Sequence, residues 1–195
     1  MNNLKLIRDY KNEDIKNNQI IYLVNDNKYE FIIKNKEALI TYTNPEYLEI
    51  AVKAFKSEFG YVDKIYNKDK SYYEEFDYTY LFKLPIKILQ PSINIINKEY
   101  LELIKENYDY IPKIIKVCLI DDEYVIIKGH TLALEMLESG EKMVNVYLAD
   151  ATSYIKDFVY IAKEYNMTDV TKLEILEKEQ YDEITNQINM MFQNK

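Results

Sequence analysis

The sequence predicts an α+β protein: a small N-terminal antiparallel-sheet unit with one helix, then an α/β domain, then C-terminal helices. Three observations carry this. Three short β-rich apolar runs open the chain with polar breaks between them, Tyr124 to Leu148 reads as strand, glycine turn, helix and strand, and the C-terminal part carries apolar residues at helical spacing.

With 195 residues, the chain fits one ordinary domain or two small ones. Its 48% hydrophobic content can build a core, while only 3 glycines and 4 prolines argue against long flexible linkers. The Asn-, Ile-, Lys- and Tyr-rich composition also suits an AT-rich genome, so the 20 tyrosines carry no functional weight. A net charge of −8 opposes the counterion release that drives nucleic-acid binding, which disfavours DNA as a partner. The single cysteine, Cys118, excludes an internal disulfide and, inside the apolar run IIKVCLI, reads as a buried strand position. No apolar stretch reaches membrane-spanning length and MNNLKLIRDYKNED lacks a signal-peptide core, so the expectation is a cytoplasmic protein with no membrane partner.

Gln19 to Val24, Tyr29 to Ile33 and Ala38 to Thr43 are predicted strands of a meander, separated by the turn-like breaks NDNK and KNKE. Asn44 then reads as the cap of a helix with Pro45 at its first position. Gly60 ends that helix, and Tyr61 to Tyr66 is a further strand. Lys68 to Tyr80, KDKSYYEEFDYTY, lacks clean periodicity and marks a boundary, as a surface crossing or a tyrosine-lined ligand wall. The expected organisation is an N-terminal unit over 1–80, a second domain over 81–150 and a helical extension over 151–195.

In the second domain Leu84 to Leu89 reads as a strand, followed by Gln90-Pro91-Ser92. Asn97 caps a helix from Lys98 to about Tyr108, and Pro112 forbids its continuation. Ile114 to Ile120 and Glu123 to Lys128 are strands joined by a tight turn at Asp121-Asp122. A helix then runs from Thr131 to the Gly140 stop, and a strand starts at Met143. Beyond Asp150, Thr152 or Ser153 caps a helix to about Asn166, and a last helix, roughly Glu177 to Phe192, lines up Tyr181, Ile184, Ile188, Met191 and Phe192. Its Met-rich end reads as core packing or as a surface for a protein partner.

The chemistry concentrates at Gly129-His130-Thr131. A glycine between strand and helix permits positive φ or close approach to a ligand. The first amides of the helix that follows lack intrahelical acceptors and carry the positive end of the macrodipole, so they suit a phosphate or carboxylate. Thr131 adds a hydroxyl and His130 a donor or acceptor. The plainer reading stays open: Gly129 makes the turn, Thr131 caps the helix, and His130, the only histidine, satisfies a buried carbonyl. No full phosphate loop occurs, and no second histidine or cysteine is placed to build a zinc site.

The stretch from Leu84 to Leu148, with LPIKILQPS, a helix, and then YVIIKGHTLALEMLESGEKMVNVYL, resembles the ParB/sulfiredoxin-like domain. It is most similar to the subgroup that reads I-x-x-I-x-P-S, D-G-H-T-R-A, a helix, a glycine and V-x-V-Y. The tail TDVTKLEILEKEQYDEI, Thr168 to Ile184, looks like the acidic helical end of bacterial relatives of that subgroup. The resemblance implies a compact α/β domain that binds a small phosphate-bearing ligand such as ATP, ADP or CTP with Mg2+. Members include CTP-hydrolysing chromosome-partition proteins, ATP-using sulfiredoxins and free-serine kinases. Carried over by position, Gly129, His130 and Thr131, with Lys128 beside them, would contact phosphate. Gln90, Pro91 and Ser92 would form the facing wall.

The departures from that pattern matter. Lys128 stands where the family has an acid, Leu132 where it has an arginine, and Ile93 where the kinase-type members have a glutamate. Sulfiredoxin's cysteine in the turn is missing, because Cys118 lies upstream. These changes remove charged groups that phosphoryl transfer needs. The expected function is therefore a nucleotide- or phosphate-binding regulatory or interaction module with a degenerate catalytic site. The alternative is a phosphotransferase or nucleotide hydrolase with a rearranged site that draws on Lys128, His130 and Asp121, Asp122 or Asp150.

Overall fold

Apolar, β-rich runs separated by short polar turns make the N-terminal segments pair as hairpins. In the computed structural model, which describes residues 5–9, 15, 16, 18–164 and 166–193, β1 (Leu6–Asp9), β2 (Gln19–Val24), β3 (Asn27–Lys34) and β4 (Glu37–Tyr42) form an antiparallel meander. Only Asn25 and Asp26 turn between β2 and β3, both with positive φ, so half of the expected NDNK break is already strand. Helix α1 (Leu48–Glu58) crosses to β5 (Lys64–Tyr66), which lies parallel to β4, and β6 (Tyr73–Glu75) closes the sheet order β1-β2-β3-β4-β5-β6. The helix begins later than the Asn44-Pro45 signal indicates. The Asn44 carboxamide oxygen instead accepts the Glu46 amide at 3.0 Å, a local turn that competes with capping, and Tyr47 takes the cap position. Phe31 and Phe55 stack at 4.2 Å in the core of this unit.

Two compact units result: Met1–Tyr80 with Asn107–Ile111, and Leu81–Glu106 with Pro112–Lys195. The Lys68–Tyr80 stretch crosses the surface of the first unit as a strap. Asp63 accepts the Thr79 amide at 3.1 Å and pairs with Lys36 at 3.0 Å, while Lys36 also donates to the Thr79 carbonyl and lies over the Tyr78 ring.

The second unit holds a mixed sheet in the order β7-β12-β10-β11-β8. Its strands are β7 (Phe82–Pro85), β8 (Gln90–Pro91), β10 (Ile114–Ile120), β11 (Glu123–Lys128) and β12 (Met143–Leu148). The single strand expected over Leu84 to Leu89 is broken. A 3-10 turn, Ile86–Ile88, follows Pro85, and the Leu89 amide closes it on the Ile86 carbonyl at 3.1 Å. The unit's remaining elements are β9 (Ile95–Asn97), α2 (Lys98–Glu106), α3 (His130–Glu138), α4 (Ser153–Glu164), β13 (Glu174–Leu176) and α5 (Lys178–Gln193). The Asn97 cap forms as expected, its carboxamide oxygen accepting the Tyr100 amide at 3.0 Å. One face of α4 packs Ile155 and Val159 against Cys118, Ile120 and Val125, while Tyr154 is exposed.

The C-terminal residues belong to this unit. β13 pairs in parallel with β9, and Val170 and Leu173 are buried. The side chains of Met191 and Phe192 lie outside the described residues. Among the described residues no helix is long and apolar enough to cross a membrane.

Candidate functional site

The strand-to-helix junction at Gly129 rests on a backbone that favours glycine. Gly129 has φ +107°, and a Cβ there would sit 3.3 Å from Ile115 Cγ1. A β-bulge precedes it: Lys128 aligns with Lys116 but Ile126 with Val117, so Ile127 is the extra residue. Lys128 ends β11 with its side chain exposed.

Gly129, not Thr131, is the N-cap of α3, and the helix begins at His130. The first helical hydrogen bond runs from the Ala133 amide to the Gly129 carbonyl at 2.8 Å. The amides of His130, Thr131 and Leu132 therefore have no intrahelical acceptor. Thr131 is only 8% exposed, and no hydrogen bond is made by its hydroxyl among the described residues.

Gln90, Pro91 and Ser92 do lie beside this turn, because β8 pairs in parallel with β11, Gln90 opposite Val125 and Pro91 opposite Ile126. Their polar groups are largely committed to the fold. The Gln90 side-chain Nε2 donates to the Pro91 carbonyl at 2.9 Å and to the Met167 carbonyl at 2.7 Å. The Ser92 hydroxyl donates to the Ile126 carbonyl at 2.6 Å. The Ser92 amide donates to His130 Nε2 at 3.1 Å, and the Ser92 Oγ lies 3.2 Å from the same nitrogen. Burial strips His130 of the solvation its charged form needs and lowers its pKa from 6.5 to about 3.

Of the seven sequence-predicted residues, the structure thus brings Gly129, His130, Thr131, Gln90, Pro91 and Ser92 to one junction and leaves Lys128 exposed at the end of β11. Asp121 and Asp122 form the β10–β11 turn, where Asp121 accepts the Tyr160 hydroxyl at 2.8 Å. Among the described residues no group of three His, Cys, Asp or Glu is placed to hold a metal ion. A separate cleft of about 310 Å3, lined by Cys118, Leu119, Leu148, Ala149, Asp150 and Ala151, went unnoticed in the sequence. No local pattern announces it, because it depends on the parallel β10–β12 register, with Val117 opposite Leu148, and on the exposure of Leu119 and Leu148.

No family model matches this chain, and no curated protein matches it. Among solved structures it is similar to protein Atu1540 from Agrobacterium tumefaciens, with 16% identity over 50% of this chain and a TM-score of 0.39. The match spans 63% of that protein's chain. A likeness this slight bears on neither fold nor function.

Proposed function

We propose that this protein binds a phosphate-bearing ligand, a nucleotide such as ATP, ADP or CTP with Mg2+, at the N-terminus of α3, and serves in the cytoplasm as a regulatory or interaction module of the ParB/sulfiredoxin-like kind. The observation that carries the reading is the Thr131 hydroxyl, which has no partner among the described residues on a residue that is 8% exposed, beside three helix-start amides without intrahelical acceptors. Binding is favoured over turnover by what surrounds it. His130 Nε2 already accepts the Ser92 amide, and Leu132 is an aliphatic side chain where the resemblance calls for a guanidinium.

Isothermal titration with inorganic phosphate, ATP, ADP and CTP, each with Mg2+, tests this. Binding of at least one ligand is expected, and Thr131→Val should weaken it by about 1 kcal/mol, roughly fivefold, for one lost hydrogen bond. No heat with any of the four overturns the proposal.

A further inference from the structure

We infer that Ser92 is a positioning residue of the α3 site: its backbone amide holds His130 as the neutral imidazole protonated on Nδ1, which offers a hydrogen-bond donor to a phosphate oxygen and no base. The inference rests on the binding reading for the ligand, but its first signal needs none.

The amide hydrogen of Ser92 is fixed by the backbone and points at His130 Nε2, 3.1 Å away. A proton on Nε2 would meet it head-on, so Nε2 accepts. The neighbouring hydroxyl cannot reverse this, because its one proton goes to the Ile126 carbonyl at 2.6 Å, and its 3.2 Å approach to Nε2 carries no hydrogen between them. With His130 6% exposed and no anion bonded to it among the described residues, the imidazole stays neutral, and its proton is on Nδ1. That nitrogen is attached to Cγ and so lies on the backbone side of the ring. No acceptor for it occurs among the described residues. A base would need a lone pair facing the ligand; here the one lone pair is covered by Ser92 and the other nitrogen already carries a proton.

Because the chain has one histidine, a long-range proton–nitrogen NMR correlation of the histidine-labelled protein reads this ring alone. At pH 7 the Nδ1-protonated neutral pattern is expected, unchanged in Ser92→Ala, which keeps the amide and loses the hydroxyl. An Nε2-protonated or charged ring, or a tautomer that switches in Ser92→Ala, overturns the inference. Inorganic phosphate or ADP should then shift the Nδ1 resonance. Calorimetric binding without that shift overturns the donor role and leaves the binding reading intact, whereas no heat at all removes the binding reading and the donor role with it.

Discussion

At Gly129 the backbone stands at φ +107°, a region that L side chains rarely adopt, and an added methyl would press on Ile115. Gly129→Ala should therefore cost about 1–3 kcal/mol in urea unfolding, from backbone strain before any ligand is considered. His130 gives the same junction a pH dependence. Its folded pKa is depressed from 6.5 to about 3, so below 6.5 the unfolded chain takes up a proton that the folded chain refuses. Stability is full above pH 6.5 and is lost as pH falls toward 3. Between pH 7 and 5 the wild type should lose about 2 kcal/mol more than His130→Gln, measured as the difference in urea-derived stabilities. Equal losses in the two proteins would show that His130 titrates in the folded state as it does in the unfolded one.

Among elements, those whose local pattern and tertiary role agree were legible. β2, β3 and β4 are rich in aliphatic and aromatic residues between short polar turns, and Asp121-Asp122 makes a two-residue turn, both residues at positive φ, between Ile120 and Glu123. This turn type prefers glycine at its second central position, so Asp122→Gly should stabilise the chain by a few tenths to about 1 kcal/mol, visible as a higher urea midpoint with unchanged slope. The less legible elements obey longer-range terms. β6 hides in the acidic stretch around Tyr73 because its pairing with β5, not its composition, makes it a strand. The strand that the apolar run after Pro85 favours stops there because the Leu89 amide turns back onto the Ile86 carbonyl at 3.1 Å, a 3-10 turn in place of a further ladder. At the candidate site, the glycine turn and its helix start could be read from Gly129 and Thr131. The pairing of Ser92 with His130 spans 38 positions, and no local pattern announces it.

At the scale of the molecule, the C-terminal residues behave as part of the second unit. Met167 offers its carbonyl to Gln90, the Glu174 amide bonds to the Asn94 carbonyl at 2.8 Å, and β13 adds to β9. Val170, Leu173 and Leu176 are buried, and at about 1.5–3 kcal/mol for each such side chain their loss would approach the whole stability of an ordinary domain. A chain ending at residue 164 should therefore lose the cooperative unfolding of the second unit, while the first unit keeps the Phe31–Phe55 stack and the Lys36–Asp63 ion pair that lie wholly within it. Limited proteolysis with mass spectrometry separates the two outcomes. Rapid cleavage between residues 112 and 164, with protection of β2 to β4, is expected. Retained protection of β10 to β12 would mean that the sheet of the second unit folds on its own and that residues 165–195 are an appendage to it.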